Sequence, residues 1–159
     1  MSLIKILNHK EGKSFIAFIL IFIFHLSFID LYPINDEFVF PIGAKLIERF
    51  NIQEINLFFN YNANTLGFSS LIFIFSKLLP LDFYTIGKLL SCSGIVLIYL
   101  SIQALLKIFN LENFKEKHIL ILLILLNPLI FTFSFRATPD FFSSTLSLFA
   151  ITYFIITKN

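Results

Sequence analysis

Tryptophan is absent from this chain of 159 residues, and cysteine and methionine occur once each. A single cysteine, Cys92, excludes an internal disulfide framework and a thiolate metal cluster. Charge is scarce as well: 14% of residues are charged, against about 25% in a soluble domain. The net charge is only +2 and no basic stripe exists, which excludes a nucleic-acid binder. Disorder needs high charge and low hydrophobicity, and neither is found. There is no P-loop, dinucleotide fingerprint, nucleophile elbow or zinc-ligand spacing. His9, His25 and His118 are scattered.

What fills the chain is apolar. Hydrophobic residues make up 57%, 23 of them Phe, and the mean hydropathy is +0.87. That composition predicts lipid as the solvent and an all-α, polytopic membrane helical bundle. A spanning helix needs roughly 20 mostly apolar residues. The first candidate covers about 14–31. Lys5, Lys10 and Lys13 precede it and no small-residue cleavage site follows, so it reads as an uncleaved signal anchor. Further uncharged runs of 17 or 18 residues give spans at about 88–107, 118–135 and 141–157. The segment 65–81 is interrupted by Lys77 and ended by Pro80. It is either a fifth span or an interfacial or re-entrant helix.

Parity fixes the topology. Four spans put Lys5, Lys10, Lys13, Lys107, Lys115, Lys117 and Lys158 in the cytoplasm, and five cations outside. Five spans split the cations evenly, so the positive-inside rule prefers four. The N-terminus is then cytoplasmic, the 32–87 loop lies outside, and Arg136–Asp140 shares its face.

That loop opens with Asn35-Asp36-Glu37. Phe38, Ile42, Leu46 and Phe50 follow at four-residue spacing, which predicts an amphipathic helix over about 38–50 lying on the bilayer. Asn35 or Asp36 would cap it, and Pro41 puts its regular start between Phe38 and Pro41. Asp36 and Glu37 are then either solvated acids at a helix start or a general base at the membrane rim. A carboxylate suits the second role because it accepts a proton from an attacking hydroxyl. Arg136-Ala137-Thr138-Pro139-Asp140 reads in two ways as well. It is punctuation between spans, or Arg136 grips a phosphate through its guanidinium while Asp140 orients a hydroxyl. Asn127-Pro128 predicts a bend in the third span. His25, inside the first span, reads as a neutral imidazole bonded to a neighbouring helix rather than a functional group.

Asp36-Glu37-Phe38 after one span, a basic loop before Lys117, then Asn127-Pro128, Arg136 and Pro139-Asp140, follow a known order. The chain resembles the GT-C superfamily of membrane glycosyltransferases, in its protein mannosyltransferase and aminoarabinose transferase branch. Asn62-Ala63-Asn64-Thr65-Leu66-Gly67, leading into a short apolar segment, fits the same order, although the usual proline pair before Leu66 is missing. The resemblance covers about 14–157. It implies sugar transfer from a polyprenyl-phosphate carrier to an acceptor on the outer face, with inversion by direct displacement. It implies catalytic Asp36, Glu37 and Asp140, with Asp36 as the base, and Arg136 on the carrier phosphate. It names no certain cofactor, although some relatives hold a divalent metal between two outer acids. Family members are several hundred residues long, so the expectation is an N-terminal portion that is inactive alone. The competing readings are a non-enzymatic small polytopic membrane subunit and a fragment of an O-antigen polymerase-like enzyme.

Overall fold

A computed structural model describes residues 10–29, 35–61, 66–111 and 116–158. The end of the first expected span and the Asn62–Thr65 turn lie outside the described residues. So do the side chains of Asn35 and Asp36.

All regular structure among the described residues is helical. Helix α1 covers Lys10–Leu26. A 3-10 turn, Asn35–Phe38, leads into α2, Val39–Arg49. Next come α3, Ile52–Tyr61, and α4, Leu66–Ser76. Helix α5 is the longest, Phe83–Ile108. Helices α6, Lys117–Leu125, and α7, Pro128–Ser134, precede α8, Pro139–Lys158.

Helices α5 and α8 are each long and apolar enough to cross a membrane, which marks the chain as a membrane protein. The span expected at 118–135 is bent: α6 and α7 meet at 58°, the form of a broken span or of a re-entrant pair. Pro128 lacks the amide that would continue α6, and the Asn127 side chain caps α7 by accepting from the Leu129 amide at 2.9 Å. Helix α4 rises about 16 Å, half the hydrocarbon thickness, so it does not cross alone.

The span expected at 88–107 begins five residues earlier. Asp82 caps α5, its carboxylate accepting from the Tyr84 and Thr85 amides at 2.9 Å each. Lys88 therefore does not stand at the end of the helix. It is buried a full turn inside the helix, and its ammonium donates to the Ile29 carbonyl.

Four helical segments alternate in direction. The chain after α1 reaches α5 near its start through Lys88 and Ile29, and α7 near its end through His25 and Ser134. Ser91 of α5 donates to the Thr138 carbonyl just before α8. At the far end, Lys107 and Ile108 of α5 line one cavity with Ile156 of α8. Between the two ends runs a core that includes Phe18, Ile21, Ile95, Ile98, Ile121 and Leu125. Helices α5 and α8 approach closely because residue 94 is glycine. A Cβ there would stand 2.7 Å from the Phe141 ring and 2.8 Å from the Thr145 hydroxyl.

A second, smaller core joins α2 and α4 to the first half of α5, through Phe40, Ala44, Phe68, Ile72, Ile86 and Leu90. The Phe40 and Phe68 rings meet edge to face at 5.5 Å. Helix α2 thus buries Phe40, Gly43 and Ala44, and turns Phe38, Ile42 and Phe50 outward. Its start at Val39 falls in the expected window, but the expected side-chain cap is replaced. Phe38 takes the cap position with no side-chain hydrogen bond. Phenylalanine offers no side-chain acceptor, and Pro41, third in the helix, removes one of the two amides that a cap would bond. Helix α3 was not expected. Asn51 begins it, accepting from the Gln53 and Glu54 amides. Phe50 closes α2 in the left-handed region (φ 53°) and redirects the chain.

Candidate functional site

The polar groups gather where α5 begins and α7 ends. The 3-10 turn delivers Glu37, the first two turns of α5 deliver Tyr84 and Lys88, and the loop before α8 delivers Arg136. Glu37 is 3% exposed. The Tyr84 hydroxyl donates to its Oε2 at 2.6 Å. Arg136 Nε stands 3.5 Å from its Oε1, an ion pair. The Arg136 guanidinium also lies over the Phe133 ring at 5.6 Å. The Lys88 ammonium lies 4.6 Å from the centre of the Tyr84 ring. Tyr84 therefore touches an anion with its hydroxyl and a cation with its face, both of which suit its charge distribution.

Burying a carboxylate costs several kcal/mol unless partners compensate it. Here a phenol and a guanidinium do so. Gly87 lets the Arg136 loop come close enough: a Cβ on it would sit 3.0 Å from that of Ala137. Asp82 stands nearby but faces outward. Partial burial acts to raise its pKa, but the hydrogen bonds from the Thr85 hydroxyl and from the Thr85 and Tyr84 amides outweigh this. The carboxyl lies below the ordinary aspartate value.

Of the four residues singled out from sequence, Glu37 and Arg136 come together. Asp140 is exposed in the first turn of α8 and borders a neighbouring cavity of about 230 Å³ with Leu129, Ile130, Phe133 and Ser144. Phe133 links the two places, because its ring also carries the Arg136 guanidinium. The backbone of Asp36 belongs to the same 3-10 turn as Glu37; its side chain lies outside the described residues. Tyr84 and Lys88 were missed as site residues. Their signal was available: Tyr84, Lys88 and Ser91 recur at helical spacing and put one polar stripe on an apolar helix.

His25 takes the structural place expected for it. It is fully buried, and its Nδ1 shares a hydrogen bond with the Ser134 hydroxyl of α7. Among the described residues no three His, Cys, Asp or Glu side chains stand together as a metal site. No family model, curated protein or solved structure matches the chain.

Proposed function

We propose that this chain is the N-terminal part of an integral-membrane glycosyltransferase, moving a sugar from a polyprenyl-phosphate carrier to an acceptor on the outer face. The reading rests on one observation: Glu37 and Arg136, distant in sequence, meet at one end of the bundle. Five spans would have put them on opposite faces. Their meeting supports four spans, with α1, α5, the broken α6–α7 pair and α8 crossing in turn. Lys13, Lys107, Lys117 and Lys158 fall at the other end, which the positive-inside rule assigns to the cytoplasm.

The role of Glu37 follows from what its side chain is already doing, and the others are assigned around it. Glu37 is committed to Tyr84 and Arg136, so it is a positioning residue that fixes the guanidinium. Asp36, its neighbour in the turn, is the base that takes the acceptor proton as the hydroxyl oxygen attacks the anomeric carbon. The carrier phosphate departs with the electron pair of the broken bond, and Arg136 neutralises it. Asp140, at the rim of the adjoining cavity, orients a hydroxyl of the sugar or acceptor.

The test is binding by the chain in lipid nanodiscs, with labelled polyprenyl phosphate against the corresponding polyprenol. The phosphate form is expected to bind at least about ten-fold more tightly, the worth of one good charge-assisted contact. Arg136→Lys keeps the charge but loses the planar fork and should remove most of that preference. Equal binding of the two lipids overturns the assignment. A second reading has its own observation: Glu37 is buried between Tyr84 and Arg136, as in a clamp that holds helices of a non-enzymatic membrane subunit together. That reading expects Arg136→Lys to change stability and leave lipid preference flat.

A further inference from the structure

The outward face of α2 carries a site that the transfer chemistry does not use. Between α2 and the start of α5 lies an apolar groove of about 410 Å³, lined by Phe38, Pro41, Ile42, Lys45, Phe83 and Tyr84, with Asp82 at its rim. Phe38 and Ile42 are about half exposed there, a costly placement in water and a favourable one against acyl chains. Ile42, Lys45 and Arg49 follow one another at three- and four-residue spacing, so they share a face. Moving along α2, that face changes from apolar to cationic within two turns.

The charges on this face are unbalanced. Glu48, the acid on α2, is already paired with Lys77 from beyond α4 at 2.9 Å. Lys45 and Arg49 form no ion pair among the described residues. Asp82 lines the same groove and keeps its negative charge, but its oxygens are taken by the Thr85 hydroxyl and two amides of the α5 cap, and it forms no ion pair with Lys45. An apolar trough beside two cations that form no ion pair among the described residues suits an amphiphile with an anionic head.

The geometry points to a seat for an anionic phospholipid, with one acyl chain along Phe38, Ile42 and Phe83 and the phosphate held between Lys45 and Arg49. The lipid would fix α2 against the start of α5, next to the Tyr84 that holds Glu37. The inference stands independently of the glycosyltransferase reading, since neither Lys45 nor Arg49 belongs to that site.

Native mass spectrometry of the full chain in detergent micelles tests it. Phosphatidylglycerol and phosphatidylcholine are titrated in parallel, with inorganic phosphate as a separate competitor. Phosphatidylglycerol should be retained preferentially. Lys45→Gln and Arg49→Gln should each weaken it about five-fold, the usual worth of one basic residue near an anionic surface. Both positions are solvent-exposed, so the variants fold. Lys158→Gln, at the far end of α8, should have no effect. Equal retention of the two lipids, or loss that is the same in Lys158→Gln, overturns the proposal. Displacement of the lipid by millimolar phosphate also overturns it, because a headgroup-only site would not need the groove.

Discussion

The two ends of the bundle handle most of their cations differently. At one end Glu37, Tyr84, Lys88 and Arg136 are drawn inward and engage one another or backbone, Arg136 Nε through an ion pair at 3.5 Å without a hydrogen bond. At the other, Lys13, Lys107 and Lys158 stay exposed while Lys117 is buried, and Lys158 folds back over the Phe154 ring at 4.6 Å. Exposed cations of this kind interact weakly with the fold and strongly with water and head groups. Buried ones are held by specific partners and bind distant parts of the chain together. The same residue types therefore report orientation at one end and tertiary structure at the other.

The sharpest way to break that contrast is to orphan a buried charge. Arg136→Ala leaves Glu37 without its cation and should cost about 3–5 kcal/mol, whereas Lys107→Ala should stay within about 0.5 kcal/mol. Thermal unfolding of both variants in the same detergent measures the difference. The double variant Glu37→Gln/Arg136→Met should recover most of the loss, since it removes both charges. Comparable effects at the two ends would erase the distinction.

A smaller effect comes from the hydroxyl. Tyr84→Phe keeps the ring beneath Lys88 and removes only the 2.6 Å bond to Glu37. A hydrogen bond to a charged group contributes about 1.5–3 kcal/mol. A loss in that range, read from the same melts, separates the bond from the ring packing.

The smallest effect belongs to the rim. Asp82→Ala should cost about 1 kcal/mol at neutral pH, the usual value of a helix cap. Because the folded pKa lies below the ordinary value of 3.8, the cap's contribution is complete above that value. It fades as pH falls through the lower, folded pKa. The melting temperatures of parent and variant should therefore converge in acid, and a gap that persists there would mean that Asp82 acts without its charge.

The helices were legible where hydrophobicity or a strong local breaker specified them. The break at Asn127-Pro128 could be read because proline removes an amide regardless of context. The outward stripe of α2 could be read because its four-residue spacing is local. The start of α5 could not, because Lys88 looks like a membrane boundary until the Ile29 carbonyl is known to meet it. That contact is fifty-nine residues away in sequence. The buried side of α2 escaped for the same reason: Gly43 and Ala44 are small rather than apolar-periodic, and only the approach of α4 makes them core. At the site, Glu37 and Arg136 were noticed as motifs. Their partnership with Tyr84 is a tertiary fact, for which the polar stripe on α5 was the only local hint.

The bent segment has a mechanical consequence for the surrounding membrane. Its two pieces, of nine and seven residues, would stack to about 24 Å if collinear. With a 58° angle between them, their combined height along the bilayer normal is nearer to about 20 Å, against roughly 30 Å of hydrocarbon. If the pair crosses as one span, as in the proposed topology, the lipid beside α6 and α7 thins or the bundle leans. Under that topology, a shortfall taken up on the outer side would bring water and head groups toward the flank that carries Asp140.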